Sequence, residues 1–174
     1  FDRVGDNTIH FTDPNRLVSA RQVPYVTRSQ WQRYFDRLRA RLQRIQPDAA
    51  WPLNIRSSNE EMGFQYWALR WLDDVDASQV AVVEADVGSG KTVSVTALAL
   101  GLIDENTSRL STDLRDDAPS RWVPVYVPLR GIGSLEELRS AVAAAIDIDG
   151  VLALDAERAL GLLRDPDLQF VVLL

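Results

Sequence analysis

The sequence predicts an α/β chain in which a parallel sheet is flanked by helices and preceded by a mainly helical segment. Three observations predict it. An apolar run, Val80-Ala81-Val82-Val83, leads through a glycine-bearing turn into a helix-forming run from Val93 to Ile103. Beyond it, strand-like and helix-like stretches alternate, as in a parallel sheet built from strand–helix–strand units. The last residues, Leu168-Gln169-Phe170-Val171-Val172-Leu173-Leu174, are almost continuously apolar, as in a strand buried on both faces. The expected division is residues 1–78 for the mainly helical segment and 79–174 for the sheet-bearing unit.

Composition narrows the function classes. At 174 residues the chain is long enough for one domain, or one domain plus an attached segment. A net charge of −6 argues against a surface built throughout for nucleic acid, while leaving room for a local basic face. The chain has no cysteine, which excludes disulfides and zinc–thiolate sites and is compatible with a reducing cytosol. No apolar run approaches the roughly 20 residues of a membrane span, and no signal-peptide pattern opens the chain. No membrane partner and a cytoplasmic location are therefore expected. Phe1 and the apolar run Phe170 to Leu174 read as cuts in a longer polypeptide.

Taken in order, the first residues mix apolar, charged and turn types, with a short strand around Thr8–Phe11. His10 is the sole histidine; with no second ligand nearby it reads as a packed or exposed ring. From Ser29, Trp31, Tyr34, Phe35, Leu38, Leu42 and Ile45 recur at three- and four-residue intervals and form one apolar helix stripe. Arg33, Arg37, Arg39, Arg41 and Arg44 make the rest of that helix basic. A solvated face is the simpler reading of them, and a surface for nucleic acid or another anionic partner is the alternative. Pro47 ends the helix, and Trp51 through Ser58 reads as a connector. A second helix is expected from Asn59 to Leu72, with Glu60 and Glu61 in its first turn and Phe64, Trp67, Ala68 and Trp71 on its core face. Gln79 to Ala85 is the next strand. Asp104 to Ser120 reads as a long polar surface loop. Trp122 to Leu129 is a strand candidate although Pro124 and Pro128 each lack a ladder donor. Ser134 and Glu137 have the spacing of a capping box for the helix that carries Leu135, Leu138, Val142 and Ile146. A last helix runs from Leu154 to Leu163.

The chemistry concentrates in Ala85-Asp86-Val87-Gly88-Ser89-Gly90-Lys91-Thr92, placed between the predicted strand and the helix that opens at Val93. Glycines let successive backbone N–H groups curl around an oxyanion, and the helix start turns its positive dipole end toward it. This is the context in which the pattern is a phosphate-binding loop. Lys91 would reach the β- and γ-phosphates as the catalytic cation, and the Thr92 hydroxyl would take a place on Mg²⁺. The implied cofactors are ATP or ADP with Mg²⁺. Ala85 stands where the pattern has its first glycine, so the strict match covers Gly88 to Thr92.

The order of parts after the loop resembles the NACHT group of STAND signal-transduction ATPases. In that group the strand behind the loop helix ends in Pro-Leu-Arg and a leucine-rich helix follows; Pro128-Leu129-Arg130 and Ser134 to Leu138 have that form. Phe170 to Leu174 resembles the family strand that carries the Walker B acids at its end, and here no acidic residue follows it. The resemblance spans about residues 79–174. It implies an ATP-driven switch, sensor and effector domains outside this sequence, homo-oligomerisation on activation, and by analogy a role in microbial antiphage defence. It also implies weak hydrolysis by these residues alone. Upstream, Tyr25-Val26-Thr27-Arg28 is loosely similar to the arginine-bearing entry motif of STAND proteins, which would bring Arg28 to the nucleotide; Thr27 stands where that motif has glycine. The alternative resemblance is to superfamily-two helicases, in which a glutamine ahead of the loop contacts adenine. Gln65 and "DVGSGKT" fit that form, whereas Pro128-Leu129-Arg130 does not.

Overall fold

The computed structural model describes residues 24–45, 54–57, 60–74, 80–84, 86, 88–112, 122–165 and 168–174. The expected strand at Thr8–Phe11, His10, Pro47 and Trp51 lie outside them, as do Ala85 and Val87. Helix α1 spans Arg28–Gln43. A hairpin of β1 (Asn54–Ser57) and β2 (Glu60–Gly63) leads into α2 (Phe64–Asp73). The long helix α3 (Lys91–Thr112) precedes β3 (Val123–Tyr126). Then come α4 (Leu135–Ile146), a 3₁₀ turn at Ile148–Gly150, α5 (Ala156–Leu162) and β4 (Phe170–Leu173).

The α/β class holds: β3 and β4 pair in parallel, with Val123 opposite Phe170 and Tyr126 opposite Leu173. Parallel strands require a crossover, supplied here by α4, the 3₁₀ turn and α5. Val123, Val125 and Val127 are wholly buried or nearly so, and Tyr126 is buried as well, as expected for a strand covered on both faces. Pro124 is accommodated inside β3, and the strand stops at Tyr126, short of the predicted Leu129.

Helix α1 forms as its stripe predicts. Trp31, Tyr34, Phe35, Leu38 and Leu42 are all buried, whereas Ile45 lies past the helix and is exposed. The Thr27 hydroxyl accepts from the Gln30 N–H at 3.4 Å, and the Gln30 carboxamide oxygen accepts from the Thr27 N–H at 2.9 Å. This reciprocal box occupies donors that a helix start leaves without partners. The Trp31 ring stacks on Phe35 and approaches Phe170 of β4 to 6.5 Å between centroids. Helix α1 thus shares one apolar core with the sheet. The predicted box on α4 also forms: Ser134 Oγ accepts from Glu137 N–H at 3.2 Å, and Glu137 Oε2 accepts from Ser134 N–H at 3.1 Å.

Three expectations are corrected. Residues 60–63, expected in the first turns of a helix from Asn59, form β2 against β1, and the helix starts at Phe64 behind an extended Gly63. Strand pairing takes up backbone groups that a helix start would leave open. The expected loop from Asp104 is helical as far as Thr112. Asn106 and Leu110 continue the buried positions Leu102 and Ile103, and the Asn106 amide donates to the carbonyls of Leu102 (2.7 Å) and Trp122 (2.9 Å). A polar residue is admitted to the core because its hydrogen bonds are made there.

The third correction concerns Gln79–Ala85: the described residues 80–84 belong to no strand or sheet, with Val80 and Val82 mostly exposed. A strand needs a neighbour for its N–H and C=O groups. Val80, Ala81 and Val83 instead line an open groove together with Phe170 to Leu174 of the β4 edge, so the two runs do not pair.

Candidate nucleotide-phosphate site

The loop is shaped by its glycines. Gly88 and Gly90 have φ of 81° and 91°, in the left-handed region that residues with a Cβ adopt at a cost. A Cβ at Gly88 would meet nothing within 4 Å, so its requirement is one of backbone conformation, not of space. Between them, the Ser89 N–H donates to the Asp86 carbonyl at 3.2 Å and closes a tight turn. The chain then enters α3 directly at Lys91.

The start of α3 fits an anion. Ser94 N–H bonds back to the Gly90 carbonyl at 2.9 Å, while the amides of Thr92 and Val93 have no partner among the described residues. Open donors at the positive end of a 22-residue helix attract negative charge. Lys91 Nζ donates to the Asp86 carbonyl at 2.8 Å, which bends the side chain back across the loop and holds a full positive charge over it. The Ser89 hydroxyl oxygen is buried without a hydrogen-bond partner, a condition a phosphate oxygen would relieve. Thr92 is exposed at the first turn, Asp86 is exposed, and Val93 is half-buried. The donor set therefore matches a phosphate group. Among the described residues no group of three or more His, Asp or Glu side chains converges as a metal site.

Lys91 also reaches into the groove described above, which has a volume of about 880 Å³. Its lining includes Trp67, Trp71, Val95 and Trp122. Trp67 and Trp71 stack nearly parallel, 9° apart with centroids 6.2 Å from each other. The helical spacing of these rings predicts a core face; their half-burial beside the groove follows from the tertiary arrangement and has no sequence signal.

Arg28 takes the first position of α1, behind the Thr27 cap, and does not line the groove. Gln65 is brought elsewhere. Its carboxamide lies so close over Gly101 that a Cβ there would stand 2.8 Å from Nε2. Gly101 is ten residues beyond Lys91, about 15 Å along α3, so the glutamine of the helicase pattern lies well away from the loop. Pro128-Leu129-Arg130 follows β3 as an exposed turn, in which Ile132 N–H bonds to the Leu129 carbonyl at 3.1 Å and Gly131 takes a φ of 84°. Among the described residues no helix is long and apolar enough to cross a membrane.

Comparison of the chain with protein-family models, with curated proteins and with solved structures finds no match. The functional reading therefore rests on the loop and on the order of the elements around it.

Proposed function

We propose that this chain is the nucleotide-binding part of an ATP-dependent switch of the STAND/NACHT type. One observation carries the phosphate assignment: Gly88 and Gly90 turn the loop through positive φ while Lys91 Nζ lies on the Asp86 carbonyl, 2.8 Å away. Residues 85–93 would hold ATP or ADP. The amides of Thr92 and Val93 and the buried Ser89 hydroxyl would meet phosphate oxygens, Lys91 would leave its carbonyl for the β- and γ-phosphates, and Thr92 would contribute to Mg²⁺. A bound nucleotide supplies a removable cluster of negative charge whose loss biases how neighbouring parts pack. The placement of Pro128-Leu129-Arg130 directly behind β3, with the capped helix α4 next, supports the STAND resemblance over a generic ATPase. Homo-oligomerisation, sensor and effector domains elsewhere in the protein, and a role in antiphage defence follow from that resemblance.

The test of the loop is calorimetric titration of ATP and ADP, with Mg²⁺, into the protein and into Lys91→Ala. Removing a charge-assisted contact of about 1.5–3 kcal/mol lowers affinity about 10- to 150-fold; equal affinities would reject the assignment. The switch is tested by light scattering with ATP against ADP. Nucleotide-dependent assembly supports it, whereas ATP turnover stimulated by DNA or RNA without assembly supports the helicase alternative.

A further inference from the structure

We infer that the outer face of α1 is a docking surface for the sugar–phosphate backbone of a nucleic acid. Arg33, Arg37, Arg41 and Arg44 are all exposed. At 3.6 residues per turn they fall within about 80° of helix arc, on the side away from the buried Trp31, Phe35 and Leu42. Arg33 Nε donates to the Ser29 carbonyl at 3.3 Å, which steadies its guanidinium along the helix. The side chains of Arg37, Arg41 and Arg44 have neither an ion pair nor a hydrogen bond among the described residues. The remaining helix arginines are placed otherwise: Arg39 pairs with Asp104 at 2.7 Å, and Arg28 is half-buried at the helix start. Asp36 is the one acidic residue in the helix and flanks the row without interrupting it.

Like charges at four-residue spacing weaken a helix, and a chain of net charge −6 has carboxylates to spare for neutralising them. Here they stand in register without an ion pair among the described residues. The row from Arg33 to Arg44 covers about 16 Å of helix axis, a length beside which one strand of a duplex carries about five phosphates. Guanidinium groups suit phosphate through their forked donors. A lipid surface is a poorer fit, because α1 has already committed its apolar face to the core and has none to place among acyl chains. A protein interface is also a poorer fit. The outer arc offers Ala40 as its one apolar side chain, whereas protein interfaces centre on apolar and aromatic residues. This surface is separate from the loop at Lys91, so either proposal survives the failure of the other.

The test is fluorescence anisotropy of labelled mixed-sequence oligonucleotides, single-stranded and duplex, titrated with the whole chain. Contacts to three or four phosphates give a log–log salt slope of about −3 for a duplex, so affinity falls about 60-fold between about 50 and 200 mM salt. Arg37→Glu with Arg41→Glu is expected to weaken binding at low salt by at least about tenfold and to flatten the slope by about two. The Arg37→Gln, Arg41→Gln pair should flatten it similarly, and it replaces the first pair if circular dichroism shows that charge reversal costs helix. Absence of binding at about 50 mM salt overturns the proposal. So does binding that ignores both double variants, and so does equal, arginine-dependent binding to phosphatidylglycerol vesicles.

Discussion

The Tyr34 hydroxyl, buried under α1, donates to the Pro124 carbonyl in β3 at 2.8 Å. This bond ties the helical segment to the sheet across 90 residues of sequence. Tyr34→Phe leaves a buried carbonyl with one partner fewer and is expected to cost about 1–2 kcal/mol of unfolding free energy in urea titration. Burial also raises the pKa of the Tyr34 phenol. The unfolded chain therefore releases that proton near its ordinary value of about 10, whereas the folded chain retains it. The contribution is intact below that pH and is lost as pH rises above it, by up to about 1.4 kcal/mol per unit. Tyr34→Phe should abolish this component, so the gap between parent and variant narrows at alkaline pH; a constant gap would contradict the assignment.

Asp147 organises the turn between α4 and α5. Its carboxylate accepts from the Leu152 N–H at 2.7 Å and the Leu154 N–H at 3.1 Å, while the Leu152 carbonyl accepts from Gln30 Nε2 at 3.0 Å. Asp147→Ala is expected to lower stability by about 2–3 kcal/mol, because a buried backbone donor loses a charged acceptor. Ala153, in the same turn, has φ of 56°. Ala153→Gly relieves that strain and should raise stability by about 1 kcal/mol, measured in the same denaturation series.

In the loop before α3, Gly88→Ala meets no steric obstacle but must hold a left-handed backbone. A loss of about 1–2 kcal/mol is expected, with Gly88→Asn milder because its side chain tolerates that region. The ranking Gly above Asn above Ala, in both stability and ATP affinity, is the measurable outcome. Equal behaviour of the two variants would show that the loop's conformation is unimportant.

Gly101→Ala sets helix propensity against the Gln65 carboxamide that covers it. The obstructing atom is the end of a flexible, exposed side chain, which can swing away. The expected result is a gain of up to about 1 kcal/mol from the better helix former, with ATP binding unchanged by calorimetry. Loss of nucleotide affinity would restore Gln65 to the site and favour the helicase reading.

Residues whose signals are local were legible in the sequence. Ser134 and Glu137 cap α4 because both partners of the box lie within one turn. Trp31 to Leu42 are buried together because a 3.6-residue period puts them on one face. Phe170 to Leu173 form the strand their composition predicts, but it is not buried on both faces: Val171 and Leu173 are buried, whereas Phe170 is half-buried and Val172 exposed. In the loop, Gly88 and Gly90 take the positive φ that their residue type permits, and Lys91 Nζ donates to the Asp86 carbonyl.

What the sequence could not decide depended on partners distant along the chain. Asn106 reads as a loop residue until Trp122 supplies the carbonyl that lets its amide be buried. Glu60 and Glu61 suit a helix start, yet pairing with residues 56 and 57 draws them into a strand. Val80 to Val83 have strand composition but join no sheet among the described residues, and Val80, Ala81 and Val83 line a groove instead. Local spacing therefore determined the buried stripe of α1 and the caps at Thr27 and Ser134. Which backbone and polar groups found partners, and so which apolar runs became sheet, was settled only when distant residues met, because an unpaired polar group is costly wherever water is excluded.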